Sequence, residues 1–438
     1  MTIKPIRIGI LGCGTVGTGV VHLLTKQKRE IEDRIGCPTE ISAIAVRSLE
    51  TQRDPLIPQN LLTTELNRVI DGDEVDVVVE VMGGTGLAYT AIKAALQNDK
   101  HIVTANKTLL AEKGSELFKI AEDRGLDLSF EASVGGGVPV IRALRESLAS
   151  DQILGLNAII NGTSNFVLTQ MQRNGASFQD ALSEAQSLGY AEADPTADVE
   201  GHDAAQKLSI LMALAFGVSL KSSINEIHGI SGVTPLDFRY GEHFGYTIKP
   251  MALATYTEQG VDAYVGPTLI PADHLLASAS DAMNAVYLKC QALGPLMLYG
   301  QGAGMLPTAV SVVADIVEVG RNLLARASGR TAPLAVNSAN RGNTSLAPAG
   351  SHQRAHYLRF AVTDEPGVLG KIATCLGSQG VSIQKVVQDA YRPKGQADIL
   401  ILTHKTSIVS IREALKALER EPGLVQSTYT LPVVDPDA

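Results

Sequence analysis

A short β-branched run, Ile6–Leu11, passes through a glycine-rich turn into an apolar helical stretch over 16–24. Residues 40–46, 75–81, 101–103 and 126–131 have the same strand character, and 86–97 and 109–123 carry the apolar spacing of helices between them. Strands that alternate with helices in this way predict a parallel, doubly wound α/β sheet.

From about residue 138 the pattern changes. It predicts a helix over 142–149, a strand over 153–160, helices over 166–172, 178–188 and 203–216, and apolar strands to about 304. One long helix over 307–326 is expected to return to the first domain. Gly, Pro, Ser, Asn and Ala dominate 327–355 and no periodicity survives there, which predicts a linker. Beyond it, 356–362, 367–378, 381–388, 397–404, 407–419 and 424–430 read as strand, helix, strand, strand, helix, strand, the ferredoxin-like order. The expected organisation is a nucleotide-binding domain (1–137), an α+β catalytic and dimerisation domain (138–326), the linker, and a small regulatory domain (356–438).

A chain of 438 residues accommodates three such domains at roughly 100–200 residues each. A net charge of −9 offers no basic face for a polyanion, so nucleic acid is not an expected partner. The four cysteines, at 13, 37, 290 and 375, lie far apart, outside any disulfide or zinc spacing. The first strand leaves no room for a signal peptide and no apolar run approaches the ~18 residues of a membrane span, so the expectation is a soluble cytoplasmic protein.

Gly12, Gly14 and Gly17, with Thr15 and Val16 between them, form a Gly-x-Gly-x-x-Gly run between strand and helix. In that context glycines turn tightly and a pyrophosphate meets the helix N-terminus, as in a Rossmann dinucleotide site. The second strand ends at Arg47 and Ser48, where an NAD-specific domain usually carries an acidic residue. Arg47 suits the 2′-phosphate of NADP or is an ordinary solvated cation; NADP is favoured and NAD stays possible. Gly83 and Gly84 permit close backbone approach beside a nicotinamide or cap a helix. Lys107, in Thr-Ala-Asn-Lys, falls at the carboxyl edge of the parallel sheet, where open α/β sheets bind ligands. In the segment 131–139 three consecutive glycines beside Glu131 suit either a domain hinge or an oxygen-rich cation site.

The richest stretch is 188–207, with seven ionisable groups in twenty residues, among them Glu192, Asp194, Asp198, Asp203 and Lys207. An apolar helix follows. Asp203 and Lys207 stand four apart, on the stripe that continues through Ile210 and Leu214, so the pair is expected to point inward. A partly buried lysine among carboxylates is a candidate proton donor, because desolvation lowers its pKa and acidic neighbours raise it. Asn161-Gly162-Thr163-Ser164-Asn165, between a strand and a helix, suits capping or gripping a polar substrate.

These two motifs, with the Gly-rich turn, Thr-Ala-Asn-Lys, the segment 131–139 and the Gly302-Ala303-Gly304 segment, resemble the homoserine dehydrogenase family over roughly 5–325. The resemblance implies reduction of L-aspartate 4-semialdehyde to L-homoserine with NAD(P)H. It makes Lys207 and Lys107 the catalytic lysines, with Lys207 protonating the carbonyl oxygen. It also implies substrate contacts from Glu192, Asp203, Asp198 and Thr163, and cofactor contacts from Lys107, Gly189, Gly302 and Gly304. A structural monovalent cation, usually sodium, would sit at Glu131 and the carbonyls of Val134, Gly136 and Val138. Ser164 stands where many relatives have Thr, and Gly136 where some have Ala. The C-terminal unit, with Asp364, Pro366 and Gly367 at its first helix, resembles an ACT domain; this implies an amino-acid effector, in this family threonine, or a mere dimerisation unit. A homodimer or homotetramer is expected.

Overall fold

The computed structural model describes residues 4–224, 226–348, 350–389, 395–418 and 428–437. Six parallel strands, β1 (Ile6–Leu11), β2 (Thr39–Ala45), β3 (Leu62–Thr63), β4 (Val77–Glu80), β5 (His101–Thr104) and β6 (Leu128–Ser129), form a sheet in the order β3-β2-β1-β4-β5-β6. This is the doubly wound order expected from the alternating pattern, and its switch point lies between β1 and β4. The inner strands read as continuous apolar runs because helices cover both faces: Val77, Val78 and Val79 are all fully buried. β6 is shorter than expected because the chain turns at Phe130 into the 3-10 turn Glu131–Ser133.

The long helix Met305–Ala325 returns to this domain. It lies so close to the first helix, Thr15–Lys26, that a Cβ on Gly19 would stand 2.7 Å from the carbonyl oxygen of Met305. Ala309, Val312, Ile316 and Val319 complete the apolar layer over Ile6, Ile8 and Ile10. The two domains therefore share a core.

The second sheet contains β7 (Ile153–Ile159), β8 (Tyr246–Thr257), β9 (Gly260–Pro271), β10 (Met283–Cys290) and β11 (Gly294–Gln301) from the catalytic domain. The C-terminal unit contributes β12 (Gln353–Thr363), β13 (Ile383–Asp389), β14 (Gln396–Thr403), the two-residue β15 (Thr406–Ser407) and β16 (Tyr429–Val433). All ten belong to one sheet, in the order β11-β10-β7-β8-β9-β16-β12-β14-β13, with β15 on β12. The join is a parallel pairing of Val433 with Leu269. Local patterning holds no information about such an edge, and the sequence reading has two separate sheets there.

Four local expectations are corrected. The helix expected over 142–149 is a single turn, Val140–Arg142, followed by a π-helical turn, Ala143–Ser147, in which the Leu148 amide reaches back to the Ala143 carbonyl at 2.9 Å. The last strand is Tyr429–Val433 rather than 424–430, of which 424–427 lie outside the described residues. The first helix of the C-terminal unit starts at Val368, so Asp364 and Pro366 lie in the turn before it. The expected linker has no long element, yet it is fastened to both neighbours. Val218 bridges Thr344 and Val261 bridges Leu346, the Gly329 amide donates to Asp127 at 3.0 Å, and Leu334 is buried.

The C-terminal unit docks through a mixed anchor. Phe238, Ile248 and Leu269 pack with Tyr357, Leu402, Leu431 and Val433. At its centre Asp237, fully buried, accepts from the Arg359 Nε at 2.7 Å and the Tyr357 hydroxyl at 2.9 Å while closing a capping box with Thr234. No helix of the described residues is long and apolar enough to cross a membrane. Since removing one partner strands a buried guanidinium, Asp237→Ala should lower the unfolding free energy by about 3–5 kcal/mol in urea titration. A loss under about 1 kcal/mol would show that the anchor is dispensable.

Candidate active site

Lys107 occupies the first residue of the helix Lys107–Asp123, directly after β5. A cation at a helix N-terminus meets the positive end of the dipole, a cost of roughly 0.3–1 kcal/mol. The fold supplies compensation from another domain: Lys107 Nζ lies 3.1 Å from Asp203 Oδ1. Asp203 is in the first turn of His202–Phe216, where a carboxylate is favoured, and its other oxygen lies 2.7 Å from Lys207 Nζ one turn further on. One carboxylate thus bridges two lysines across the cleft between domains. The inward orientation expected from the i, i+4 spacing is present, with the side chains of Asp203 and Lys207 only 10% and 14% exposed.

Lys207 Nζ also donates to the Ile160 carbonyl at 2.8 Å, so two of its three N–H donors have protein acceptors. Asn161 caps the helix Gly162–Asn174 by accepting from Ser164 N at 2.8 Å. Its Nδ2 donates to Asp198 Oδ1 at 2.7 Å and to Asp203 Oδ2 at 2.9 Å. Of the two readings of the Asn-Gly-Thr-Ser-Asn turn, capping is the one seen, and the free end of the Asn161 side chain is taken up by Asp198 and Asp203. Burial alone would raise the Asp203 carboxyl, but the charges of Lys207 and Lys107 and the bonds from Lys207 and Asn161 outweigh it and hold the group at about 2. It remains an anion across the working range.

Asp198 and Thr163 border this cluster. Ser164 Oγ donates to the Asp198 carbonyl at 2.9 Å and Thr163 Oγ1 to the Tyr190 carbonyl at 2.6 Å. Glu192 is exposed, and among the described residues its carboxylate has no hydrogen-bond or ion-pair partner. Gly189, at positive φ, opens onto free space after the helix Phe178–Ser187.

At the Gly-rich turn the three glycines differ in what they do. Gly12 takes φ +101°, and a Cβ there would meet the Val81 carbonyl at 2.9 Å; one on Gly17 would lie 2.3 Å from the Gly12 carbonyl. Gly14 has nothing within 4 Å and is the N-cap of Thr15–Lys26 with no side-chain cap, so the amides of Thr15 and Val16 begin a helix whose mouth is open. Arg47 is exposed beyond β2, and Arg53 is held there by the carbonyls of Ser48 at 2.7 Å and Thr51 at 2.9 Å.

Glu131 accepts from the amides of Ile141 at 2.9 Å and Arg142 at 2.8 Å, and its own amide donates to Asp315 Oδ2 at 2.8 Å. Burial, then the neighbouring Asp315, pushes Glu131 up to about 7; burial pushes Asp315 to about 6. Val134 and Val138 are buried beside them, and Gly136 takes φ +55°. A Cβ on Gly136 would stand 2.4 Å from the Gly302 carbonyl, so the segment 302–304 that leads into the long helix rests on this turn. Gly304 caps that helix at φ +123°.

Sequence reasoning missed Glu80 and Asn106. Glu80, fully buried, accepts from the amides of Met82 at 2.9 Å and Gly83 at 3.2 Å and from Thr104 Oγ1 at 2.6 Å. Asn106 caps the Lys107 helix and donates to the Gly84 carbonyl at 2.7 Å. Together they tie the Gly83-Gly84 turn to the loop that aims Lys107. A charged residue ending an otherwise apolar buried strand was the available signal. In the C-terminal unit, residues 362–369 line an open cavity of about 350 Å³, where Gly367, at φ +93°, faces free space.

Family models match the chain in three places: homoserine dehydrogenase, NAD binding domain, over residues 12–131; homoserine dehydrogenase over 139–317; and ACT domain over 356–423. The homoserine dehydrogenase of Neisseria gonorrhoeae is 44% identical over 416 residues, 95% of each protein. That of Pseudomonas aeruginosa is 42% identical over 422 residues, 96% of this chain and 97% of the relative. The crystal structure of a homoserine dehydrogenase from Thiobacillus denitrificans superposes with a TM-score of 0.93 at 43% identity, covering 99% of both chains. A hyperthermophilic archaeal homoserine dehydrogenase in complex with NADPH covers 72% of this chain and 98% of its own, with a TM-score of 0.62 at 26% identity. With its doubly wound sheet and two lysines held by one carboxylate, the chain belongs to the homoserine dehydrogenase family, the NAD(P)-dependent oxidoreductases that these relatives exemplify.

Proposed function

We propose that the protein reduces L-aspartate 4-semialdehyde to L-homoserine, with Lys207 as the proton donor. The observation that carries this reading is the pair of ammonium groups on Asp203, at 2.7 Å and 3.1 Å, at the carboxyl edge of the parallel sheet. When bound, the nicotinamide cofactor supplies hydride to the carbonyl carbon. Lys207 keeps one N–H free of protein acceptors and aims it at the carbonyl oxygen, where negative charge develops. Asp203 holds the donor in place at 2.7 Å. Lys107 lies on the cofactor side of the cleft and adds a second positive charge to the oxyanion's surroundings. Asp198, Thr163 and Glu192 face the substrate's amino-acid end, and the exposed Glu192 carboxylate is free to take an ammonium group.

The residues present fit a dinucleotide. Gly14 leaves space at an uncapped helix N-terminus, Gly12 and Gly17 allow the turn, and Arg47 stands free for a 2′-phosphate, so NADP is the favoured form. Gly189, Gly302 and Gly304 are assigned to the cofactor's far end. The turn at 131–138 also fits a monovalent cation. Glu131 is a buried carboxylate, and the carbonyls of Val134, Gly136 and Val138 are hard oxygen donors, that of Gly136 also accepting from Ser311 Oγ at 2.6 Å. Such an ion, sodium in this reading, would be structural. The C-terminal unit is assigned an inhibitory amino acid, threonine, at the turn 364–367. We assign the protein to the cytoplasm as a homodimer or homotetramer.

Lys207→Ala should lower kcat for NADPH oxidation with aspartate semialdehyde by about 10²–10⁴-fold, and a loss within about threefold would remove Lys207 as the proton donor. For cofactor choice, Arg47→Ala should raise KM for NADPH by about tenfold and leave that for NADH unchanged; equal changes would place the residue elsewhere. Raising NaCl in place of tetramethylammonium chloride at fixed ionic strength should raise the melting temperature of the wild type more than that of Glu131→Gln. Equal shifts would speak against the cation site. Rates with each cofactor, with and without threonine, test the regulatory assignment.

A further inference from the structure

Two strands of the second sheet end at the same edge. β7 ends at Ile159, and the next residue, Ile160, holds Lys207 through its carbonyl. β11 ends at Gln301 and runs directly into Gly302-Ala303-Gly304. β10 lies between them, antiparallel to both, so its first residues stand beside the two exits. Asn284 is the second residue of β10: it pairs with Gly300 of β11, and its neighbour Ala285 pairs with Ile159 of β7. Successive strands lie about 4.8 Å apart, so β10 keeps the strand that holds the proton donor and the strand that leads into 302–304 roughly 10 Å apart.

Asn284 is only 1% exposed, and neither its Oδ1 nor its Nδ2 has a hydrogen-bond partner among the described residues. Burying an unpaired amide costs stability, a cost that an apolar side chain in its place avoids. The carboxamide packs against Gly302: a Cβ added to Gly302 would fall onto its Cγ, Oδ1 and Nδ2, the three atoms nearest to that point. Gly302 does not take a positive φ, so its backbone tolerates a side chain, and the Asn284 amide occupies the room for one. The same segment is fixed to the 131–138 turn, where Gly137 N donates to the Gln301 carbonyl at 3.0 Å.

The residues just before Asn284 rest on the turn that begins with Asn161. A Cβ on Gly162 would meet the Ala282 carbonyl at 3.0 Å, and Asn165 Nδ2 donates to the Met283 carbonyl at 3.2 Å. Asn284 is therefore tied through its backbone to the lysine side of the site and through its side chain to 302–304.

We propose that Asn284 is a positioning residue for the reaction, its carboxamide being the spacer that seats the backbone of 302–304 against the cofactor in register with Lys207. It acts through Gly302 and not on the reactants. The proposal rests on the assignment of 302–304 to the cofactor made above. A misplacement of about 1 Å between reacting groups costs on the order of 10²-fold in rate, so a packed spacer carries function without forming bonds of its own.

The test removes the spacer and then refills its room. Asn284→Ala should weaken NADPH by about tenfold in a fluorescence titration without substrate and lower kcat by about tenfold or more, with KM for aspartate semialdehyde within about twofold of the wild type. Its melting temperature should stay within about 2 °C of the wild type, because two unpaired polar atoms leave with the side chain. Gly302→Ala drives a methyl group into the amide and should also weaken NADPH by about tenfold, and adding Asn284→Ala to it should recover at least about fivefold of that loss. The proposal is overturned if the only effect of Asn284→Ala is a lower melting temperature, or if the two substitutions weaken NADPH additively. NADPH binding by the wild type that Asn284→Ala leaves unchanged overturns this proposal alone, whereas a wild type that binds no NADPH overturns the cofactor assignment with it.

Discussion

Everything in the site depends on one carboxylate shared by two lysines. Asp203 sits in the catalytic domain, Lys207 one turn away on the same helix, and Lys107 on the nucleotide-binding domain. Two ammonium groups drawn to one carboxylate repel each other. The anion between them offsets that repulsion. It also ties the two domains together, so the positions of both lysines are set by a single contact. Asp203 is in turn held by Asn161, whose amide is fixed because its oxygen caps a helix.

The surrounding architecture keeps that contact rigid. Gly19 and Gly320 let the long helix Met305–Ala325 lie close against the first domain; a Cβ on Gly320 would meet the Ile6 side chain at 2.8 Å. Glu80 and Asn106 brace the loop beneath Lys107. The Glu131 carboxylate, bonded to the amides of Ile141 and Arg142, ties the end of the parallel sheet to the start of the second domain.

Much of this was legible in the residues. Short β-branched runs between helical stretches predict the parallel sheet, because strands buried on both faces leave a clear apolar trace, whereas the two-residue β3 leaves none. The Asp203 and Lys207 spacing correctly placed the pair on the inner face of a helix. What local pattern could not show was contact between distant segments. Lys107 was assigned to the sheet edge without its partner, 96 positions away, and the Val433 to Leu269 pairing that fuses the two sheets leaves no signature in either strand. The strap after Ala325 reads as a linker because its hold on both domains comes from isolated bridges and backbone acceptors, for example Val218 with Thr344 and Gly329 with Asp127. Glu192 resembles its neighbours in the acidic block, and only the fold shows that it and Asp194 are exposed while Asp203 is buried.

The central claim, that a single anion organises both lysines, is tested most directly by a double-mutant cycle on Lys107→Met and Asp203→Asn, read as kcat/KM for aldehyde reduction. Coupled residues in one network depart from additivity by about 0.5–3 kcal/mol, so the double variant should be little worse than Asp203→Asn alone. Additive losses, within about 0.3–0.5 kcal/mol, would show that the two side chains act independently and would contradict the account.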